Sequence, residues 1–135
     1  MKIYDCFMFF DEEMLLDLRL NMMNKHVDKF VITESTKMHS GKSKKLLFDI
    51  NKFSQFKDKI NYIVVDNPPA NIIKINQDDS LDVQQSKMII NAKAREMEQI
   101  NKTQDGIVDA DPNDIIIVSD LDEIPNLEKI NFNEV

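Results

Sequence analysis

The 135-residue sequence predicts a single α/β domain, built on a mainly parallel sheet with flanking helices. Short runs of branched and aromatic residues alternate along the chain with segments that carry helix signals. This alternation is typical of strand–helix–strand crossovers in a parallel sheet. The length suits one compact core, since ordinary domains hold about 100–150 residues. In such a sheet, ligands bind at the carboxyl ends of the strands.

Three strands and a long helix are predicted in the first half of the chain. Residues 2–9 are rich in aromatic and branched side chains and predict the first strand. A helix is expected from the N-cap Asp11 to about residue 24, because apolar side chains recur there at spacings of three and four. Residues 27–36 and 61–66 predict the second and third strands.

The remaining elements are a short helix, a long helix and a last strand. Residues 53–57 predict the short helix, ahead of the third strand. Ser80 is a suitable N-cap for a long helix that reaches about Lys102. Residues 115–118, Ile-Ile-Ile-Val, predict a buried strand. Four methionines fall on the apolar faces of the two long helices and are expected in the core: Met14, Met22, Met88 and Met97.

The composition disfavours several classes of protein. With 17 basic and 24 acidic side chains the net charge is −7, which disfavours DNA or RNA as a partner. No run approaches the ~18 apolar residues of a membrane-spanning helix, and the first residues lack the pattern of a signal peptide. Cys6 is the single cysteine, so no internal disulfide can form. We therefore expect a cytoplasmic protein without a membrane segment.

One segment has the opposite charge to the rest of the chain. Residues 37–45 carry four lysines and one histidine but no acid, and they follow the polar end of the second predicted strand. Its central part, His-Ser-Gly-Lys at residues 39–42, contains a glycine that lets a phosphate approach the backbone closely. The segment therefore predicts contact with an anion. For Lys44 and Lys45 a solvated basic loop is the simpler interpretation.

An Asp-x-Asp pattern occurs twice, and only the surroundings distinguish the two copies. With 16 aspartates in the chain, about two copies are expected by chance. Asp109 and Asp111 precede a proline turn and are interpreted as part of a solvated loop. Asp120 and Asp122 directly follow a predicted buried strand, where α/β sheets bind ligands. Their carboxylates are expected to project to one side and to share a divalent cation.

Two known families place Asp-x-Asp after an apolar strand. Haloacid-dehalogenase-like phosphohydrolases use the first aspartate as nucleophile and the second as general acid. Their pattern continues to Thr or Val two residues later, where this chain has Ile124. Their motif also opens the fold, whereas here only ten residues follow Pro125. Such a phosphohydrolase is the alternative enzyme.

The other family matches in ordered blocks along nearly the whole length. The blocks are residues 3–7 with 9–10, 19–20, 27–32, 34–35, 39–42 and 119–125. Between them, Arg95-Glu96-x-x-Gln99-x-Asn101 is similar to the family's Arg-Glu-x-x-Gln-Arg-Asn stretch, with Ile100 in the place of its second arginine. In this order the blocks resemble the amino-terminal half of glycosyltransferase family 17. This is the family of the β-1,4-mannosyl-glycoprotein β-1,4-N-acetylglucosaminyltransferase.

The resemblance implies a GT-A-like, Rossmann-type fold that binds a nucleotide sugar. It implies transfer of N-acetylglucosamine from UDP-N-acetylglucosamine to a glycan acceptor, with Mn²⁺ or Mg²⁺ held on the donor diphosphate by Asp120 and Asp122. The residues expected to contact the donor are Glu34, His39, Ser40, Gly41, Lys42 and Arg95. Glu34 is expected to accept hydrogen bonds from the ribose or base, unless it is merely a carboxylate exposed at a strand end. Arg95 is expected to reach the diphosphate, unless it forms a surface ion pair.

The position of the second Asp-x-Asp motif limits the functional prediction. In related folds the acceptor contacts and the general base often follow the metal motif, and here no residue is assigned as the base. We therefore expect one domain, residues 1–135, cut short at its carboxyl-terminal side, with a missing half or a partner chain. A truncated or inactive domain that binds the donor without turnover is the alternative function.

Overall fold

The computed structural model describes residues 1–135 and contains one sheet of four parallel strands. The strands are β1 (Ile3–Phe9), β2 (Lys29–Ser35), β3 (Ile60–Val65) and β4 (Ile115–Val118), in the spatial order β3-β2-β1-β4. All three pairings are parallel, with Cys6 of β1 opposite Val31 of β2 and Val118 of β4. The predicted α/β class with a parallel sheet is therefore confirmed.

The chain also contains two α-helices and four 3₁₀ segments, of which the last two follow β4. The helices are α1 (Glu13–Met23) and α2 (Leu81–Asn101), and the 3₁₀ segments are Ile50–Lys59, Lys102–Gly106, Leu127–Lys129 and Phe132–Glu134. Ser80 caps α2 as predicted, because its hydroxyl accepts a hydrogen bond from the Val83 amide at 3.3 Å. No helix is both long enough and apolar enough to span a bilayer.

The start of α1 differs from the prediction. Its N-cap is Glu12 rather than Asp11, and no side chain bonds to the amides of the first turn. The Glu12 carboxylate points back instead and accepts hydrogen bonds from the Phe10 and Asp11 amides, both at 3.2 Å. Glu12 therefore orders the turn between β1 and α1.

The sheet carries a large core on one face and a small one on the other. Alternate residues of β1 and β2, such as Phe7 and Phe30, join the larger cluster with the buried side of α1 and the 3₁₀ segment Ile50–Lys59. The opposite residues Tyr4, Cys6 and Val31 form the smaller cluster. Burial, together with the nearby Asp5 carboxylate, raises the pKa of the Cys6 thiol to about 12, so this thiol is unreactive at neutral pH.

Two predictions of burial are wrong. The last strand was expected to be buried, but β4 lies at the edge of the sheet and Val118 is 54% exposed. The four methionines expected in the core are all exposed: Met14, Met22, Met88 and Met97. In α1 apolar side chains occur nearly all round the helix, so spacing alone does not select the face that the sheet covers.

Candidate active site

The Asp-x-Asp motif of residues 120–122 lies on the turn that leaves β4. Asp120 and Asp122 are exposed, whereas Leu121 between them is buried in the large core. Both aspartates line one cavity of about 320 Å³. The buried leucine thus anchors the turn, and both aspartates border the same cavity.

This cavity lies at the carboxyl ends of β1 and β4. Its lining residues are Met8, Phe10, Glu12, Leu15, His39, Glu96, Asp120, Leu121 and Asp122. Four of these are carboxylates and none is lysine or arginine. Of the four carboxylates, only that of Glu96 forms an ion pair, with the exposed Lys93 at 3.1 Å. The acidic side chains that line the cavity therefore outnumber the basic ones.

His39 is the one member of the basic loop that reaches this cavity. Its ring meets Phe10 edge to face, with the ring centroids 4.8 Å apart. The Nε2 atom is buried and has no hydrogen-bond partner within the chain. A ring nitrogen without a partner can donate to or accept from a polar group that comes within hydrogen-bond distance.

Arg95 on α2 contacts the basic loop at His39 and Gly41. Arg95 Nη1 donates a hydrogen bond to the His39 carbonyl at 2.9 Å, rather than pairing with an acid. Gly41 has a φ of +92° and faces the same guanidinium. Ser40 and Lys42 are exposed and do not line the cavity. The structure therefore brings His39, Gly41 and Arg95 together and leaves Ser40 and Lys42 in solvent.

Glu34 is completely buried and already has partners within the chain. Its Oε1 atom accepts from the Tyr62 hydroxyl at 2.7 Å and the Phe48 amide at 3.0 Å. Its Oε2 atom accepts from the Leu47 amide at 2.7 Å and from the Lys44 ammonium. A carboxylate offers about four acceptor sites. A ribose or base would therefore have to displace one of these bonds. The alternative interpretation of Glu34, an exposed carboxylate at a strand end, is wrong because the side chain is buried.

The pKa of Glu34 reflects this environment. Burial by itself would raise it, but the four hydrogen bonds and the lysine charge favour the ionised form more strongly. The net result is a pKa below the ordinary value of a glutamate. Glu34 thus fixes the chain at residues 44–48 against β2 and β3 as a charged group.

The structure also reveals a buried cation that sequence reasoning did not assign to the site. Arg19 of α1 is fully buried and pairs with Asp5 in the middle of β1, with Nε and Nη2 at 2.9 and 2.7 Å from the two carboxylate oxygens. Burial raises the pKa of Asp5, and the bidentate contact with Arg19 opposes this. Two features of the sequence could have revealed this pair. Asp5 is a charged residue at the centre of an apolar strand, and Arg19 is one on the apolar side of a helix.

The other Asp-x-Asp copy has the surroundings that were predicted for it. Asp109 and Asp111 are exposed in the turn that precedes β4, at the opposite end of this strand from Asp120. The Asp111 amide bonds to the Asp114 carboxylate at 2.8 Å, which closes the turn. This pair is part of a solvated turn.

The donor set at the second motif fits a hard divalent cation. Carboxylate oxygens suit Mg²⁺ and Mn²⁺, and Mg²⁺ is commonly bound by one or two protein carboxylates together with substrate phosphates. No group of three or more His, Cys, Asp or Glu side chains is arranged to hold a metal by itself. The structure therefore shows two candidate carboxylate ligands on one cavity and no complete metal site.

Comparison with known protein families decides the class of the protein. The sequence model of glycosyltransferase family 17 matches residues 1–134, essentially the whole chain. The chain belongs to glycosyltransferase family 17. Comparisons with curated proteins and with solved structures give no match. As a family 17 member, it is a transferase domain whose substrates are a glycosyl donor and an acceptor, and the match spans both the cavity and the basic loop.

Proposed function

We propose that this family 17 domain transfers N-acetylglucosamine from UDP-N-acetylglucosamine to a glycan acceptor, using Mn²⁺ or Mg²⁺ held by Asp120 and Asp122. One observation carries the proposal: both carboxylates line a single cavity at the carboxyl edge of a parallel sheet. Ligands of α/β folds bind at this edge. The cavity volume of about 320 Å³ is also within the range of small-molecule sites.

The charge of the cavity supports a requirement for a cation. Four carboxylates and no lysine or arginine line it, so their charges would repel a nucleotide diphosphate alone. A divalent ion between the carboxylates and the diphosphate converts this repulsion into attraction. The acidic cavity and an anionic donor are therefore compatible only when a cation accompanies the donor.

The chain's own residues supply the remaining donor contacts in this proposal. A bound cation would stabilise the negative charge that develops on the departing nucleotide. His39 can donate from its unpartnered Nε2 atom to a phosphate oxygen when that atom carries a proton. Arg95 uses one N–H group on the His39 carbonyl, but its side chain lines a separate pocket with Ser35 and Asp66, so the donor would have to extend there to meet it. Lys42 is exposed on the same loop and does not line the cavity.

The test is UDP binding to the full chain, measured by calorimetry with Mn²⁺ and again with EDTA, beside hydrolysis and transfer assays with UDP-N-acetylglucosamine. We expect UDP to bind only with Mn²⁺, and Asp122→Ala to abolish this binding. Asp111→Ala is the matched control, because it removes an exposed aspartate of the other Asp-x-Asp copy. It is expected to bind UDP as the unmodified chain does.

Other outcomes would identify the alternatives. UDP binding without turnover would indicate a donor-binding domain rather than a complete enzyme. Phosphatase activity without UDP binding would overturn the proposal in favour of a haloacid-dehalogenase-like phosphohydrolase. Equal loss of binding in Asp122→Ala and Asp111→Ala would show that the cavity is not the donor site.

A further inference from the structure

The guanidinium of Arg19 connects β1 to the turn that carries the two aspartates. Beside its two bonds to Asp5, its Nη2 atom donates to the Ser119 hydroxyl at 2.7 Å. Its Nη1 atom donates to the carbonyl oxygens of Asp120 at 2.7 Å, Glu123 at 3.1 Å and Leu121 at 3.2 Å. Every N–H group of the side chain therefore has an acceptor.

Three of these acceptors are backbone carbonyls of one four-residue turn. Fixing the carbonyls fixes the orientation of the peptide planes and so the directions in which the side chains of Asp120 and Asp122 leave the backbone. Ser119 reinforces the same turn, because its hydroxyl also donates to the Glu123 carbonyl at 3.1 Å. The Glu123 amide closes the turn on the Asp120 carbonyl at 3.0 Å.

The environment makes Arg19 a rigid support. Its side chain is fully buried, its charge is matched by Asp5, and its guanidinium lies 4.7 Å from the centre of the Phe7 ring. Buried guanidinium groups with all donors satisfied have a single geometry, whereas lysine offers three donors from one point and cannot span these six acceptor atoms. Arg19 thus ties the exposed turn to the core, in addition to the buried side chain of Leu121.

We infer that Arg19 is a positioning residue: it holds the backbone of residues 119–123 so that the carboxylates of Asp120 and Asp122 are presented together to a divalent cation. The role of the turn as a cation site rests on the function proposed above. The holding of the turn by Arg19 rests only on the hydrogen bonds of this side chain. The two statements can therefore fail separately.

The experiment uses Arg19→Lys in the full chain, with Val27→Ala as a control for a loss of stability alone. Val27 is buried just ahead of β2, and none of its hydrogen bonds involves residues 119–123. Two quantities are measured at a temperature at which both variants are folded. The first is the ¹⁵N order parameters of the amides of residues 119–123 without metal or nucleotide, and the second is the affinity for UDP with Mn²⁺.

We expect the order parameters of these amides in Arg19→Lys to fall from about 0.85 toward about 0.6, with the rest of the sheet unchanged. The affinity for UDP with Mn²⁺ is expected to fall about 10- to 100-fold, as for other supports of metal ligands, while Val27→Ala changes neither quantity. If Arg19→Lys does not fold, Ser119→Ala removes one acceptor without disturbing the buried charge pair, and the same two losses are expected at smaller size.

The inference is overturned if the order parameters of residues 119–123 equal those of Val27→Ala. This applies to Arg19→Lys or, if that variant does not fold, to Ser119→Ala. The inference is equally overturned if the turn loosens but the affinity for UDP with Mn²⁺ equals that of the control. A wild-type chain that does not bind UDP with Mn²⁺ would overturn the proposed function instead, and the order parameters would still decide whether Arg19 holds the turn.

Discussion

Arg95 and Gly41 are in direct contact across the gap between α2 and the basic loop. A Cβ atom on residue 41 would lie 2.8 Å from Nη2 of Arg95, which is too close for a real side chain. The φ of Gly41 is +92°, a region that residues with a Cβ rarely adopt. The loop conformation and the position of the guanidinium therefore depend on the absence of a side chain at residue 41.

Gly41→Ala is expected to lower the free energy of unfolding by about 1–2 kcal/mol, the cost of a left-handed conformation for an alanine. It is also expected to displace Arg95 from the His39 carbonyl. Urea denaturation measures the loss of stability. The control is Ser40→Ala, an exposed neighbour without a positive φ, which is expected to change the stability by less than about 0.5 kcal/mol. Equal effects of the two substitutions would contradict the prediction.

Tyr62→Phe is expected to destabilise the fold by about 1.5–3 kcal/mol, because it removes a hydrogen bond to a buried carboxylate. The bond joins the Tyr62 hydroxyl to Glu34 at 2.7 Å. Tyr4→Phe provides the control: Tyr4 is more deeply buried than Tyr62, and the Tyr4 hydroxyl makes no hydrogen bond in the structure. Thermal unfolding of both variants tests this, and a Tyr62→Phe midpoint no lower than that of Tyr4→Phe would refute it.

Glu34 is expected to make stability depend on acid pH. Its folded pKa is below the ordinary 4.5, despite burial, because of the hydrogen bonds that it accepts. A carboxyl with a depressed folded pKa stabilises the fold above its unfolded pKa, and this contribution is lost as the pH falls through the folded value. The stability difference between the wild type and Glu34→Gln should therefore shrink from pH 7 to pH 3. A difference that stays constant over this range would show that Glu34 does not ionise in the fold.

Leu18 and Leu20 of α1 are expected to respond very differently to the same truncation. Leu20→Ala should cost about 2–5 kcal/mol, because Leu20 is fully buried in the large core. Leu18 is 48% exposed, and Leu18→Ala should change the free energy of unfolding by less than about 0.5 kcal/mol. Urea denaturation of the pair tests the orientation of the helix directly. A large loss in Leu18→Ala would mean that this side of α1 is covered in solution.

The local structure of the chain was largely predictable. The strand at residues 115–118 and the capping of α2 by Ser80 were predicted where they occur, because both depend on a few neighbouring residues. The cap of α1 was misplaced by one residue, since Asp11 is the better N-cap by residue type but the helix begins after Glu12 without a side-chain cap. The choice between them depends on the path of the chain out of β1.

The candidate site was predictable in its residue types but not in its contacts. Asp120 and Asp122 were identified because they follow a strand, and the structure places both on one cavity. The arrangement around Glu34 was not predictable, because its partner Tyr62 is 28 residues away in the chain. The residue pattern that predicts a strand contains no information about which distant hydroxyl will contact a side chain of that strand.

The sequence by itself determined the α/β class, the order of its elements and the family resemblance. These properties follow from local periodicity, capping and the order of motifs along the chain. Only the tertiary structure decided which side of α1 is buried, that β4 is an edge strand, and that Arg19 joins Asp5 to a turn about 100 residues later. Desolvation and hydrogen-bond pairing depend on neighbours in space, and these are set only when the sheet and helices pack.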